Sequence, residues 1–143
     1  MSECIFCKIV AGALPAEKIA EDSHSVAILD INPISPGHLL LLSRSHHETI
    51  AETPDDTLRS MGATLKLLAT GVMKATASEG CNILQNNHAC SGQAIPHIHF
   101  HVIPRKTGDA VRFNWQPKKY GQGETQKIAR AIRDAVAACV PRK

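Results

Sequence analysis

Three histidines stand at alternate positions in His97-Ile98-His99-Phe100-His101, followed by Val102-Ile103-Pro104. Side chains of a strand alternate between faces and the chain rises about 3.3 Å per residue, so in a strand the three imidazoles line one face at intervals of roughly 6.6 Å. Ile98, Phe100 and Val102 then point the other way, into a core. Imidazole titrates near neutral pH, ligates metals and can act as a nucleophile. A buried strand whose polar edge consists of three such rings reads as a reactive site and not as packing.

A second pattern is Cys4-x-x-Cys7. A pair at this spacing fits half of a zinc site, a redox couple or two half-buried thiols, and the pair alone does not choose among them. Cys81, Cys90 and Cys139 read as structural or incidental, with Cys90 exposed in a polar loop. His24, His47 and His88 are expected at the surface. Five cysteines, an odd number, in a chain that opens without a basic segment and an apolar stretch argue for a reducing, cytoplasmic setting and against a disulfide framework.

The elements that must carry these groups can be read from pattern. A short helix is expected within residues 4–12, then strands over residues 18–21, 25–31 and 38–43, separated by turn-rich segments. Thr53 reads as the N-cap of a long helix, with Pro54 at its first position and Asp55 and Asp56 near the positive end of its dipole. Leu58, Met61, Leu65, Leu68 and Val72 give that helix one buried stripe, running to about Ala77 with Gly80 beyond. Residues 81–86 read as a strand, residues 87–92 as a polar loop, and residues 95–103 as the histidine strand, weakened at its end by Pro104. Ile128, Ala131, Ile132, Ala135, Val136 and Cys139 mark a terminal helix. Tight connections between the early strands favour an antiparallel sheet, so the expected class is α+β, in a single domain spanning residues 1–143.

Composition narrows the partners. The chain is 43% hydrophobic and 20% charged, with a net charge of +3 spread over scattered lysines and arginines. Five aromatic residues give no platform of the kind single-stranded nucleic acid needs, so no nucleic-acid partner is expected. No apolar run approaches the eighteen or so residues needed to cross a bilayer, so no membrane association is expected either.

The order of these motifs resembles the histidine triad (HIT) family of nucleotide hydrolases and transferases, whose signature is His-x-His-x-His with apolar residues between. The similarity rests on Cys4-Ile5-Phe6-Cys7-Lys8-Ile9, Ile28-Leu29-Asp30-Ile31-Asn32-Pro33, Ser35-Pro36-Gly37-His38, Ser91-Gly92-Gln93 and the triad itself. It is closest to the small bacterial and nucleoside-phosphoramidase-like members, which implies a homodimer whose antiparallel sheets join across the interface. The resemblance implies that His99 is the nucleophile toward the α-phosphorus of a nucleotide, and that His101 donates to phosphate oxygens or to the leaving group. It implies that Gln93 bonds the phosphate or positions water, that Asp30 receives the ribose hydroxyls, and that Ile31 packs beside the base or sugar. Asn86 is matched to a contact with the sugar–phosphate region, and His38 to a ring behind the triad. Asp30 and Asn86 also fit plain turn and loop roles. For the cysteine pair the resemblance implies a structural zinc held by Cys4, Cys7, His46 and His97, with His47 in reserve. Ala94 departs from the Ser or Thr usual in the phosphoramidase type and removes a hydroxyl near the leaving group.

The function expected is cleavage at the α-phosphate of a nucleotide, a purine nucleotide by expectation, through a nucleotidyl-His99 intermediate and without a catalytic metal. The rival readings are a dinucleoside polyphosphate hydrolase, a nucleotidyltransferase and a nucleotide-binding interaction module.

Overall fold

The run Leu39-Leu40-Leu41-Leu42 carries apolar side chains to both faces of a strand and so requires a layer of protein on each. The computed structural model, which describes residues 4–139, supplies both layers. Its elements run α1 (Ile5–Val10), β1 (Lys18–Glu21), β2 (Ser25–Leu29), β3 (Leu39–Ser43), α2 (Asp55–Thr76), β4 (Gly80–Leu84), β5 (His99–Arg105) and α3 (Glu124–Cys139), with 3-10 turns at Ile50–Glu52 and Ala89–Ser91. The strands form one antiparallel sheet in the order β1-β2-β3-β5-β4. The expected α+β class with a long central helix and a C-terminal helix is the one found.

On one face Ala27, Leu39, Leu41 and Val102 pack against Met61, Leu65, Leu68 and Val72 of α2. On the other, Val26, Ile28, Leu40 and Leu42 pack against Phe6 and Ile9 of α1. Leu42 pairs with His99 and Leu40 with His101, so both histidines share the face covered by α1. By compactness the chain divides in two, one unit ending at Val111 and the other beginning at Arg112. The first holds the sheet, α1 and α2; the second holds α3, along which no described residue is fully buried.

Several boundaries differ from expectation, each for a local reason. Thr53 does not cap α2: its hydroxyl donates back to the Thr49 carbonyl at 2.9 Å, and Pro54 holds it extended (φ −81°, ψ 130°). Pro54 takes the capping position and the helix opens at Asp55. The other end falls where the pattern placed it, at Ala77, which is left-handed (φ 49°), while β4 begins one residue early, at Gly80. Strands β2 and β4 stop short of Asp30 and Asn86, leaving both in loops. The histidine strand starts at His99 and runs through Pro104 to Arg105. Pro104 is tolerated because its carbonyl faces beyond the end of β3, where Ser35 Oγ donates to it at 2.8 Å, and its missing N–H would have pointed the same way.

His97 therefore precedes the strand instead of belonging to it. Its N–H donates to the Ile95 carbonyl, and the next N–H, that of Ile98, donates to the His47 carbonyl at 2.7 Å. The expected row of three rings on one strand face is reduced to two, His99 and His101, with ring centroids 5.0 Å apart.

Candidate active site

The protonation of each ring follows from its partners. Two residues back along the chain, the His97 carbonyl lies 2.7 Å from His99 Nδ1. A carbonyl only accepts, so Nδ1 carries the proton and Nε2 keeps its lone pair. Among the described residues no side-chain nitrogen or oxygen shut off from solvent lacks a partner, so Nε2, with none, meets solvent. The loop before β3 fixes the neighbouring ring. The Ile34 N–H donates to His38 Nδ1 at 3.3 Å, which leaves the His38 proton on Nε2, 2.9 Å from His101 Nδ1. His101 must then accept at Nδ1 and carry its own proton on Nε2. A nitrogen with a free lone pair and a proton-bearing nitrogen thus stand on adjacent rings of one strand face.

Burial keeps these rings neutral. It pushes the pKa of His38 and His99 down, against the opposing pull of the Asp30 carboxylate and, for His99, of its bond to the His97 carbonyl. For His101, burial together with His99 and His38 lowers it to about 4. Asp30 Oδ2 lies 3.6 Å from His38 Nδ1, but that nitrogen is an acceptor on a neutral ring, so the contact is not an ion pair. Asp30 is placed by its own N–H, which donates to the His38 carbonyl, and by the Asn32 N–H, which donates to Oδ1 at 2.8 Å.

Ile31 beside it is 87% exposed, a large apolar side chain held in water next to the carboxylate. Asn86 is half-buried, and its Nδ2 would lie 3.6 Å from a Cβ added at Gly92 (φ +93°). Gln93 is buried, with Oε1 accepting from the His88 N–H at 2.6 Å and Nε2 donating to the Glu48 carbonyl at 2.7 Å. Its amide is committed to the backbone of its own loop and of the segment after β3.

The metal-ligand expectation brings together Cys4, Cys7, His46 and His97. Their ligand atoms all lie within 4.8 Å of one another. His97 Nδ1 is 3.4 Å from Cys4 Sγ and 3.5 Å from Cys7 Sγ, and His46 Nδ1 is 3.3 Å from Cys7 Sγ. Tetrahedral zinc with sulfur near 2.3 Å and nitrogen near 2.05 Å would separate such ligands by about 3.5 Å, so the set fits that ion. On the far side of the His97 ring, Nε2–H donates to the Ser43 carbonyl at 2.9 Å, which leaves the Nδ1 lone pair facing the two thiols and available to a metal. Asp30, His38 and His101 also cluster, but His38 Nε2 and His101 Nδ1 aim at each other across 2.9 Å. That is a hydrogen bond and not a metal cage.

Phe6 and Ser43 had no role assigned from sequence. Phe6 meets the His97 and His99 rings edge-on, at centroid distances of 5.8 and 5.1 Å. Its place inside the Cys4-to-Cys7 turn was the available signal. Ser43 shows only as the last residue of an apolar strand.

Known proteins match this arrangement. The HIT domain family model matches residues 11–108. Adenylylsulfatase HINT3 of Arabidopsis thaliana is 42% identical over 110 residues, 77% of this chain and 56% of that protein, so the chain spans little more than half of that relative. Adenosine 5'-monophosphoramidase HNT1 of Candida albicans is 38% identical over 110 residues, covering 73% of this chain and 72% of the relative. A crystal structure of a HIT family member from Bacillus subtilis superposes with a TM-score of 0.87 at 31% identity, covering 99% of this chain and 100% of the other. A zinc-bound histidine triad family protein from Mycobacterium smegmatis gives 0.74 at 32% identity, covering 96% and 98%. With the paired rings, the strand order and the family match in agreement, the chain belongs to the HIT family.

Proposed function

We propose that the protein hydrolyses a nucleotide, a purine nucleotide in the first instance, at its α-phosphate through a covalent nucleotidyl-His99 intermediate. The observation that carries this reading is the bond between His99 Nδ1–H and the His97 carbonyl, which leaves Nε2 unprotonated beside the Nε2–H of His101. Nε2 attacks phosphorus, a nitrogen–phosphorus bond forms, and the bond to the leaving group breaks. The positive charge that develops on the ring is stabilised by the carbonyl at Nδ1. The Nε2–H of His101 donates to the phosphate or to the departing group. Water then attacks the same phosphorus, the nitrogen–phosphorus bond breaks and the water's proton returns to His101 Nε2, releasing the nucleoside monophosphate and restoring both rings.

Asp30 accepts from the ribose hydroxyls, Ile31 offers apolar surface to base or sugar, and Asn86 contacts the sugar–phosphate region. His38 stands behind His101 and fixes its tautomer. Gln93 shapes the phosphate loop, and the second N–H of its amide remains for phosphate or water. Cys4, Cys7, His46 and His97 hold a structural zinc; when bound, the ion ties α1 to the start of β5 and supplies no reacting group. Relatives named for an adenosine monophosphoramidase and an adenylylsulfatase support the substrate class. A homodimer in the cytoplasm completes the reading.

The test is to mix protein with adenosine 5'-phosphoramidate or adenylyl sulfate, quench in base and weigh the chain. An adenylyl adduct on His99 is expected. The His99→Ala protein should lose turnover by up to about six orders of magnitude while still binding AMP. Turnover in that variant within tenfold of the parent would end the nucleophile reading.

A further inference from the structure

His97 is held at both ends. Its side chain turns Nδ1 toward two thiols and Nε2–H toward the Ser43 carbonyl, while its own carbonyl accepts the His99 Nδ1–H. Anything that fixes the ring of His97 therefore also fixes the oxygen that decides which nitrogen of His99 can attack. The segment that carries His46 is stitched to the same region. The His47 carbonyl accepts from Ile98 N–H, the Glu48 carbonyl accepts from Gln93 Nε2, and Ile50 N–H donates to Asn87 Oδ1 at 2.9 Å. Three ties thus join this segment to residues 87–98. Phe6, lying between the two cysteines in sequence, touches the rings of both His97 and His99.

We propose that the Cys4–Cys7–His46–His97 set is a positioning device for the nucleophile, with His97 as the positioning residue that passes closure of the set to the tautomer of His99. The proposal rests on the reading of His99 as nucleophile and of the set as a zinc site. Occupancy of the set acts on the chemical step. It acts little on nucleotide binding, because none of the four residues adjoins Asp30 or Ile31. The requirement is geometric: displacing a reacting group by 1 Å can cost about a hundredfold in rate.

The experiment uses the full-length protein labelled with 15N-histidine, as the zinc form, the cadmium form and the chelator-treated form. Long-range nitrogen–proton spectra report the tautomer of His99 directly, and steady-state rates with adenosine 5'-phosphoramidate report the function. In the zinc form His99 should show one tautomer, protonated at Nδ1. In the chelated form its two nitrogens should move toward averaged values. At the same time kcat should fall by about tenfold or more, with KM and AMP affinity holding within about threefold.

Cadmium, a larger ion, closes the set with the His97 ring displaced, and that form decides the matter if the chelated protein melts; a shifted His99 signal with lower kcat is expected there too. His46→Ala should reproduce the loss and His46→Cys, which restores a ligand, should reverse it. His99 signals and kcat unchanged in every folded form would overturn the proposal, as would a loss confined to KM. If His99→Ala stays active but the tautomer still follows the metal, the nucleophile reading fails by itself and the positioning link stands.

Discussion

At the scale of single residues, the position of one proton separates a reactive imidazole from an inert one. His99 and His101 differ in little except the partner of Nδ1: a carbonyl in one case, an N–H-bearing ring in the other. Both rings have depressed pKa values from burial, so both are neutral at pH 7. Turnover should therefore be level through neutrality and fall in acid, once either His99, held below its ordinary value by burial, or His101, near 4, takes up a proton. The same shift makes stability depend on pH. Below about 6.5 the unfolded chain takes up protons on histidine that buried His38, His99 and His101 refuse. Stability is thus fully present above that pH and declines as pH falls toward 4, and urea midpoints at pH 5 should lie below those at pH 7. At Asp30 the test is chemical. Asp30→Asn should weaken binding of AMP by roughly 1–3 kcal/mol and weaken binding of 2′-deoxy-AMP less; equal losses in calorimetry would assign the carboxylate to the Asn32 turn alone.

At the scale of elements, two glycines make a graded prediction. Gly37 and Gly92 both have φ near +90°, so any side chain at either is strained by about 1–3 kcal/mol. A Cβ at Gly37 would also come within 2.7 Å of Thr76 Cγ2 and 3.2 Å of Val72 Cγ2, whereas at Gly92 the nearest atom is Asn86 Nδ2 at 3.6 Å. Gly37→Ala should lower the melting temperature more than Gly92→Ala. It should also cost kcat, because His38 is the next residue and must move with it.

The elements themselves were largely legible in the sequence, because period two and period 3.6 are properties of a residue and its near neighbours. Lys18–Glu21 matched its forecast, and the stripe Met61, Leu65, Leu68, Val72 is buried as the pattern required. The errors lie where a hydrogen-bond partner decides, near or far along the chain, that residue type and period do not name. Thr53 has the right type for a cap, but the Thr49 carbonyl takes its hydroxyl. Alternation at residues 97–101 implied three equivalent rings, yet the His47 carbonyl bonds the chain at Ile98 before the strand begins. The amide of Gln93 is committed to Glu48, which no local pattern announces.

At the scale of the molecule, the sheet has two open edges of unlike character. β1 carries Lys18 and Glu21, charges that discourage a further strand, while β4 is Gly80-Cys81-Asn82-Ile83-Leu84, uncharged throughout. If the sheet continues into a second copy, β4 is the edge suited to it. Ile83→Lys should then halve the mass seen by light scattering, and Ile19→Lys on β1 should leave it unchanged. Among the described residues no helix is long and apolar enough to cross a membrane.

The central place of β5 also governs how the molecule comes into being. β1, β2 and β3 are neighbours in sequence and can zip together early, but β3 meets β5 only after α2 and β4 have been threaded between them. Contacts between distant parts of a chain form slowly, so the pairing of residues 39–42 with 99–102 is expected among the late steps of folding. The rings of His38 and His101 come from opposite sides of that pairing, and Asp30 from the same side as His38. A nascent or half-folded chain therefore holds Asp30 and His38 on one length of polymer and His101 on another, and the cluster exists only once the last seam closes.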